Sequence, residues 1–126
     1  MGHTSSVAQR VQERLDAEVA ETDDDGRPIL LDKVAFVAVV GNEDGAHHIV
    51  AEAFQALNDV RFTIPAQGCT YWNGPAIGKT DYNDLGEVPE GSASATEAAA
   101  RNAAHLARLK ASQYPWHSSL RRRSTC

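Results

Sequence analysis

The sequence predicts an α/β domain with parallel strands, and three features carry that prediction. Residues 34–40 form an apolar, valine-rich run without polar alternation, the pattern of a strand buried on both faces of a parallel sheet. The run ends in a glycine-bracketed polar loop, Gly41-Asn42-Glu43-Asp44-Gly45, which passes directly into a helix-periodic segment. A second β-prone segment at residues 60–66 follows that helix after a short turn at Asn58-Asp59. The unit is therefore strand, helix, strand, with a right-handed crossover expected.

Each element has a local cause. In residues 5–19, Val7, Val11, Leu15 and Val19 recur four apart and gather one apolar stripe on an amphipathic helix. Ser6 and Gln9 have capping-box spacing, and Thr4 or Ser5 equally offers a side-chain oxygen to the first amides. The helix should stop in the acidic segment Thr22-Asp23-Asp24-Asp25-Gly26, because Gly26 and Pro28 break its continuation. The three aspartates read as a solvated turn rather than a cation site, since no further carboxylates follow at ligand spacing.

After the strand at 34–40, residues 46–58 predict a helix facing inward with Ile49, Val50, Ala53, Phe54 and Leu57. Residues 67–91 are rich in Gly, Pro, Asn and Asp and predict a long loop. Its large side chains are Tyr71, Trp72, Tyr82 and Leu85; they either pin the loop down or meet a ligand or subunit. Ser94 and Glu97 have capping-box spacing ahead of an alanine-rich helix ending near Ser112. Its buried side should carry Ala99, Ala103, Leu106 and Leu109. Pro115 stops easy continuation, so residues 1–112 read as one domain and 113–126 as a tail.

Composition narrows the function. A chain of 126 residues forms one domain, and a formal net charge of −5 argues against a nucleic-acid partner, whose phosphates demand clustered Lys and Arg. Arg121, Arg122 and Arg123 form the one basic cluster, in a Ser-rich end that reads as solvated. No apolar segment approaches the roughly 20 residues that span a bilayer, and no signal peptide is evident, so no membrane partner is expected and the compartment expected is the cytoplasm. Cys69 and Cys126 lack metal-ligand spacing and read as free thiols.

The loop after the first strand carries the chemistry. Gly41 and Gly45 permit positive φ or close backbone approach, and the helix behind them offers free N–H groups to an electron-rich ligand at the carboxyl end of a parallel strand. His47 and His48 are adjacent, so on a helix they point about 100° apart and do not chelate one metal as an i, i+4 pair does. No metal site is expected from them. Cys69 has no partner base nearby in sequence and is not expected to act as a nucleophile.

Several ordered segments together resemble the carboxyl-terminal half of flavodoxin-like NADPH-dependent FMN reductases. They are Gly2-His3-Thr4-Ser5-Ser6, Gly41-Asn42-Glu43-Asp44-Gly45-Ala46-His47-His48, Ala56-Leu57-Asn58-Asp59, Phe62-Thr63-Ile64-Pro65, Thr70-Tyr71-Trp72 and Asn102-Ala103-Ala104-His105-Leu106-Ala107-Arg108-Leu109. The resemblance implies a partial flavodoxin-like three-layer α/β fold with parallel strands, lacking the first three strands of a sheet ordered 2-1-3-4-5. It implies flavin contacts from Gly2, His3, Thr4, Ser5 and Ser6, the end of the third-strand loop, and from Gly41, Asn42, Glu43, Asp44, Gly45 and His47 beside the ring.

FMN and NAD(P)H are the cofactors the resemblance implies, with the flavin carrying hydride and electron transfer. The first strand's Ser- and Gly-containing phosphate loop has no counterpart, which removes the main phosphate anchor. Arg61 also departs from the family, standing where relatives tend to carry a small residue, and the Arg-rich ending is another departure. The expected function is an FMN-dependent NAD(P)H oxidoreductase homologue in an N-terminally truncated form; the alternative is a catalytically silent α/β fragment serving as an interaction module. Two strands leave apolar sheet edge exposed, so a homo-oligomer is expected.

Overall fold

The computed structural model describes the backbone of residues 2–113, and side chains through Lys110. Pro115, the arginines at 121–123 and Cys126 lie outside the described residues. The elements run α1 (Ser6–Ala17), β1 (Val37–Gly41), α2 (Ala46–Asp59), β2 (Cys69–Asn73), a short 3-10 turn (Tyr82–Asp84) and α3 (Glu90–Gln113). β1 and β2 pair in parallel, Val37 with Cys69 through Gly41 with Asn73.

The register explains the layering. Residues paired across a parallel ladder point to the same face, and neighbours along a strand point to opposite faces. Val39 and its partner Tyr71 face α2, where Val39 joins Ala46 and Val50 in a buried cluster edged by Val37, Ile49, Phe54 and Cys69. Thr70 faces the other way onto α3. Its hydroxyl donates to the Ser92 carbonyl at 3.2 Å, and the Thr96 hydroxyl reaches it at 3.0 Å. Helix, sheet and helix therefore form three layers, as the resemblance implies.

Three expectations are corrected. The second strand is Cys69–Asn73, not residues 60–66, and it lies inside the segment expected to be a long loop. Residues 60–66 make one parallel bridge, Thr63 with Val34. The Thr63 N–H donates to Lys33 at 2.9 Å and the Ala35 N–H to Thr63 at 3.1 Å. The ladder goes no further there because Arg61 is left-handed and Pro65 has no N–H to give. The first strand begins three residues later than expected and is not buried on both faces: Val39 is buried while Ala38 and Val40 are exposed.

The third correction concerns α1, which buries none of its residues. Val7 and Val11, expected to face a core, are 69% and 55% exposed. Val11 and Leu15 instead border an open cavity beside β1. Ser5 rather than Ser6 is the N-cap, its Oγ accepting the Ala8 N–H at 3.2 Å. The acidic segment is a turn, in which Asp23 Oδ1 accepts the N–H groups of Asp25 and Arg27.

α2 ends in a Schellman motif whose left-handed position holds Arg61. The Phe62 N–H donates to Leu57 and the Arg61 N–H to Asn58, both at 2.9 Å, while Arg61 sits at φ +79°. A glycine is favoured at this position because a Cβ is crowded there. Arg61→Gly is therefore expected to raise stability by about 1 kcal/mol, the relief of left-handed strain less the added chain entropy. Thermal or urea denaturation of the variant checks this, and a lower midpoint would contradict it.

α3 is fastened at both ends. Ser92 and Thr96 hold its start to β2, Asn102 Nδ2 donates to the Ala66 carbonyl at 2.7 Å, and the buried Lys110 Nζ donates to Thr63 Oγ1 at 2.6 Å. Lys110 also lies 4.0 Å from Asp32 Oδ1, an ion pair shared with Arg27 on the other oxygen. Burial holds the Lys110 amine below the ordinary lysine value, because desolvation penalises its charged form.

Candidate functional site

The carboxyl end of β1 carries two loops that touch. Gly41 closes the strand, and the chain turns through Asn42, Glu43 and Asp44, all exposed, into Gly45 at φ +102°. Gly45 is the N-cap of α2 and has no side chain to bond the first amides, so the helix start stays open to a ligand. A Cβ built on Gly45 would stand 2.7 Å from the Gly2 Cα. The turn before α2 and the segment before α1 are thus in backbone contact, and only a glycine permits that approach.

Beside this contact lies a cavity of about 780 Å3 along the open edge of β1, lined by both loops, by the strand and by the inner sides of α1 and α2. Its size falls within the roughly 300–1,000 Å3 of small-molecule sites. Of the residues the sequence singles out, Gly2, His3, Thr4, Ser5, Gly41, Asn42, Glu43 and Asp44 line it. Ser6, Gly45 and His47 do not. Ser6 turns to a separate cavity between α1 and α2, Gly45 supports the loop contact, and His47 packs edge-on against Tyr71 with ring centres 5.0 Å apart.

Asp81, which the sequence does not single out, and the anchors Trp72 and Tyr82, which it does, steady the site. Asp81 Oδ1 accepts Asn42 Nδ2 at 2.5 Å and joins the strand loop to the segment after β2. Trp72 meets Tyr82 with ring centres 5.5 Å apart, fixing that segment against the sheet. The Gly74 N–H donates to the Gly41 carbonyl at 2.9 Å, so the ends of the two strands share one polar rim. The aromatic content was the available signal: Tyr71 and Trp72 are strand residues by propensity as well as large anchors.

A second polar group sits on the outer side of α2. His48 Nε2 is 3.2 Å from Glu52 Oε1, and His3 Nδ1 is 3.4 Å from the same oxygen. The His3 and His48 rings meet edge to face at 5.0 Å. Only His3 of these three also borders the β1 cavity. Among the described residues, no helix is long and apolar enough to cross a membrane.

One solved structure matches the fold, and two of the three similar proteins carry a riboflavin phosphate in their names. No protein-family profile matches the chain. The crystal structure of RosB with bound intermediate OHC-RP (8-demethyl-8-formylriboflavin-5'-phosphate) superposes with a TM-score of 0.77 and 28% identity, over 90% of this chain and 46% of that one. The 8-demethyl-8-aminoriboflavin-5'-phosphate synthase of Streptomyces davaonensis is 33% identical over 72 residues, 57% of this chain and 28% of that protein. The divalent metal cation transporter MntH of Mycobacterium bovis is 34% identical over 86 residues, 68% of this chain but 13% of the transporter. The chain spans less than half the length of each. Its fold is a partial flavodoxin-like α/β fold lacking the first strands.

Proposed function

We propose that this chain supplies the ring-side half of an FMN site in a flavodoxin-like, NAD(P)H-dependent oxidoreductase. The observation that carries the reading is the convergence of residues 2–5 and 41–44 on one cavity at the carboxyl end of β1. That is where an open parallel sheet receives a ligand. The relatives support a flavin phosphate as the occupant, since the solved one holds a riboflavin phosphate intermediate and the other is a synthase of such a compound.

In this reading each loop has a task. The turn at Asn42–Gly45 and the uncapped start of α2 direct N–H groups toward the electron-rich edge of the ring, while Gly2, His3, Thr4 and Ser5 form the facing wall. Ser5 Oγ accepts the Ala8 N–H, which leaves its O–H to donate toward the ligand. Glu43 and Asp44, both exposed, place negative charge near the ring and bias it against gaining an electron. The flavin, when bound, supplies the hydride and electron transfer.

FMN titrated into the full chain should show quenched fluorescence and a shifted absorption band that survive desalting; unchanged spectra would overturn the reading. Because no first-strand phosphate loop is present, riboflavin should bind within about tenfold of FMN, whereas a strong preference for FMN would require a phosphate anchor elsewhere. A second reading, favoured by the bound intermediate in the solved relative, makes the flavin phosphate a substrate rather than a resident cofactor. Anaerobic NAD(P)H separates the two: bleaching of the bound flavin supports the oxidoreductase, and its absence favours the substrate reading.

A further inference from the structure

Glu52 gathers two imidazoles from distant parts of the chain. His48 and Glu52 lie one turn apart on the same face of α2, and His3 arrives from the segment before α1. We propose that His3, His48 and Glu52 form a three-ligand site for a zinc-class divalent cation, bridging the start of α1 to α2.

Two of the donor separations match coordination. Metal–ligand bonds of about 2.0–2.1 Å in tetrahedral geometry put neighbouring donors about 3.3–3.4 Å apart. His48 Nε2 and His3 Nδ1 stand 3.2 and 3.4 Å from Glu52 Oε1, and all three donor atoms lie within 4.8 Å of one another. Charge-assisted hydrogen bonds account for the spacing less well, since they shorten to about 2.7–2.9 Å and here one oxygen is shared by two rings. All three residues are exposed, which leaves their side chains room to rotate about an ion.

The chemistry of the donors selects the class of ion, a first-row transition cation such as zinc. Two imidazole nitrogens and one carboxylate are a set that zinc takes, whereas calcium and magnesium favour oxygen ligands. Three protein ligands leave a fourth position open, and all three residues line the cavity of about 900 Å3 between α1 and α2, with Gln9, Gln12 and Gln55 beside them. Among the described residues no other three His, Cys, Asp or Glu side chains meet in this way. Sequence spacing shows only half of the site: His48 and Glu52 are i, i+4, but nothing in the sequence brings His3 to them.

Isothermal titration of the full chain with Zn2+ should give one site per chain, and Co2+ should give the intense visible bands of a tetrahedral complex. His48→Ala and Glu52→Gln should each weaken binding by at least about tenfold, since altering even outer-sphere partners costs ten- to a hundredfold. His3→Ala should do the same, while His105→Ala should leave affinity unchanged. Zn2+ should also raise the melting temperature of the parent chain but not of Glu52→Gln, a variant that keeps the shape of the side chain and the helix. Absence of a one-to-one site, or binding that survives both His48→Ala and Glu52→Gln, overturns the proposal. His48 and Glu52 lie outside the β1 cavity, so FMN titration of these variants reads the flavin site separately.

Discussion

Gly45→Val should weaken FMN binding by at least about tenfold and cost roughly 2 kcal/mol of stability, because a branched side chain meets both a forbidden backbone angle and another backbone. Gly45 sits at φ +102°, where L side chains are strained, and its added Cβ would lie 2.7 Å from the Gly2 Cα. Neither contact yields by rotating a side chain. The least costly response is for residues 2–5 to move away from α2, which opens the wall facing Asn42 and Asp44. Gly41→Ala is the matched comparison, since its Cβ would meet only the Glu43 carbonyl oxygen at 3.5 Å and Asn73 Oδ1 at 3.9 Å. That variant should keep the parent's melting temperature within about 1 kcal/mol of stability. Fluorescence titration and thermal denaturation of the pair check the expectation, and unchanged FMN affinity in Gly45→Val would separate the loop contact from flavin binding.

The same glycine shows what the sequence makes legible. A valine-rich run ending in a glycine-bracketed turn locates the strand, the turn and the helix because all three depend on neighbouring residues. The contact with Gly2 depends on tertiary packing, and only the family resemblance placed both segments at one ligand. Residues 60–66 illustrate the opposite limit. Phe62, Thr63 and Ile64 have strand propensity, yet Arg61 completes the helix cap in a left-handed conformation and Pro65 removes a donor, so one bridge forms instead of a ladder.

Cys69–Asn73 escaped notice for a related reason: five residues set among glycines and prolines look like loop until β1 is available to pair with them. Their β-branched and aromatic side chains were a signal that the surrounding turn residues outweighed. The stripe on α1 was periodic enough to read, but α1 buries none of its residues, so periodicity located a helix without locating a core. The His3, His48 and Glu52 group is the extreme case, since His48 is i, i+4 with Glu52 while His3 lies 49 residues from it in sequence. Spacing rules reach one helical turn and cannot see it.

The free chain should self-associate at tens of micromolar, through the face and edge of β1 that no described residue covers. Phe36, just before the strand, and Val40 within it are 42% and 59% exposed, and Ala38 between them is exposed as well. These side chains share the face on which Thr70 meets α3, yet α3 covers only β2. The outer edge of β1 is also open, since β2 is its only described neighbour in the sheet. Two strands with an uncovered apolar stripe and unpaired backbone groups favour a second copy of the same chain, which can extend the sheet and bury the stripe together. Among the described residues no large side chain is fully buried, so the monomer has little core to set against that gain. The double variant Phe36→Lys and Val40→Lys should shift sedimentation or size-exclusion profiles toward monomer by placing like charges on the exposed face. Because neither side chain is buried in the monomer, the variant should keep its helical circular dichroism. A parent chain that runs as a compact, cooperatively unfolding monomer at these concentrations would contradict the expectation and show that the open edge is protected by the chain itself.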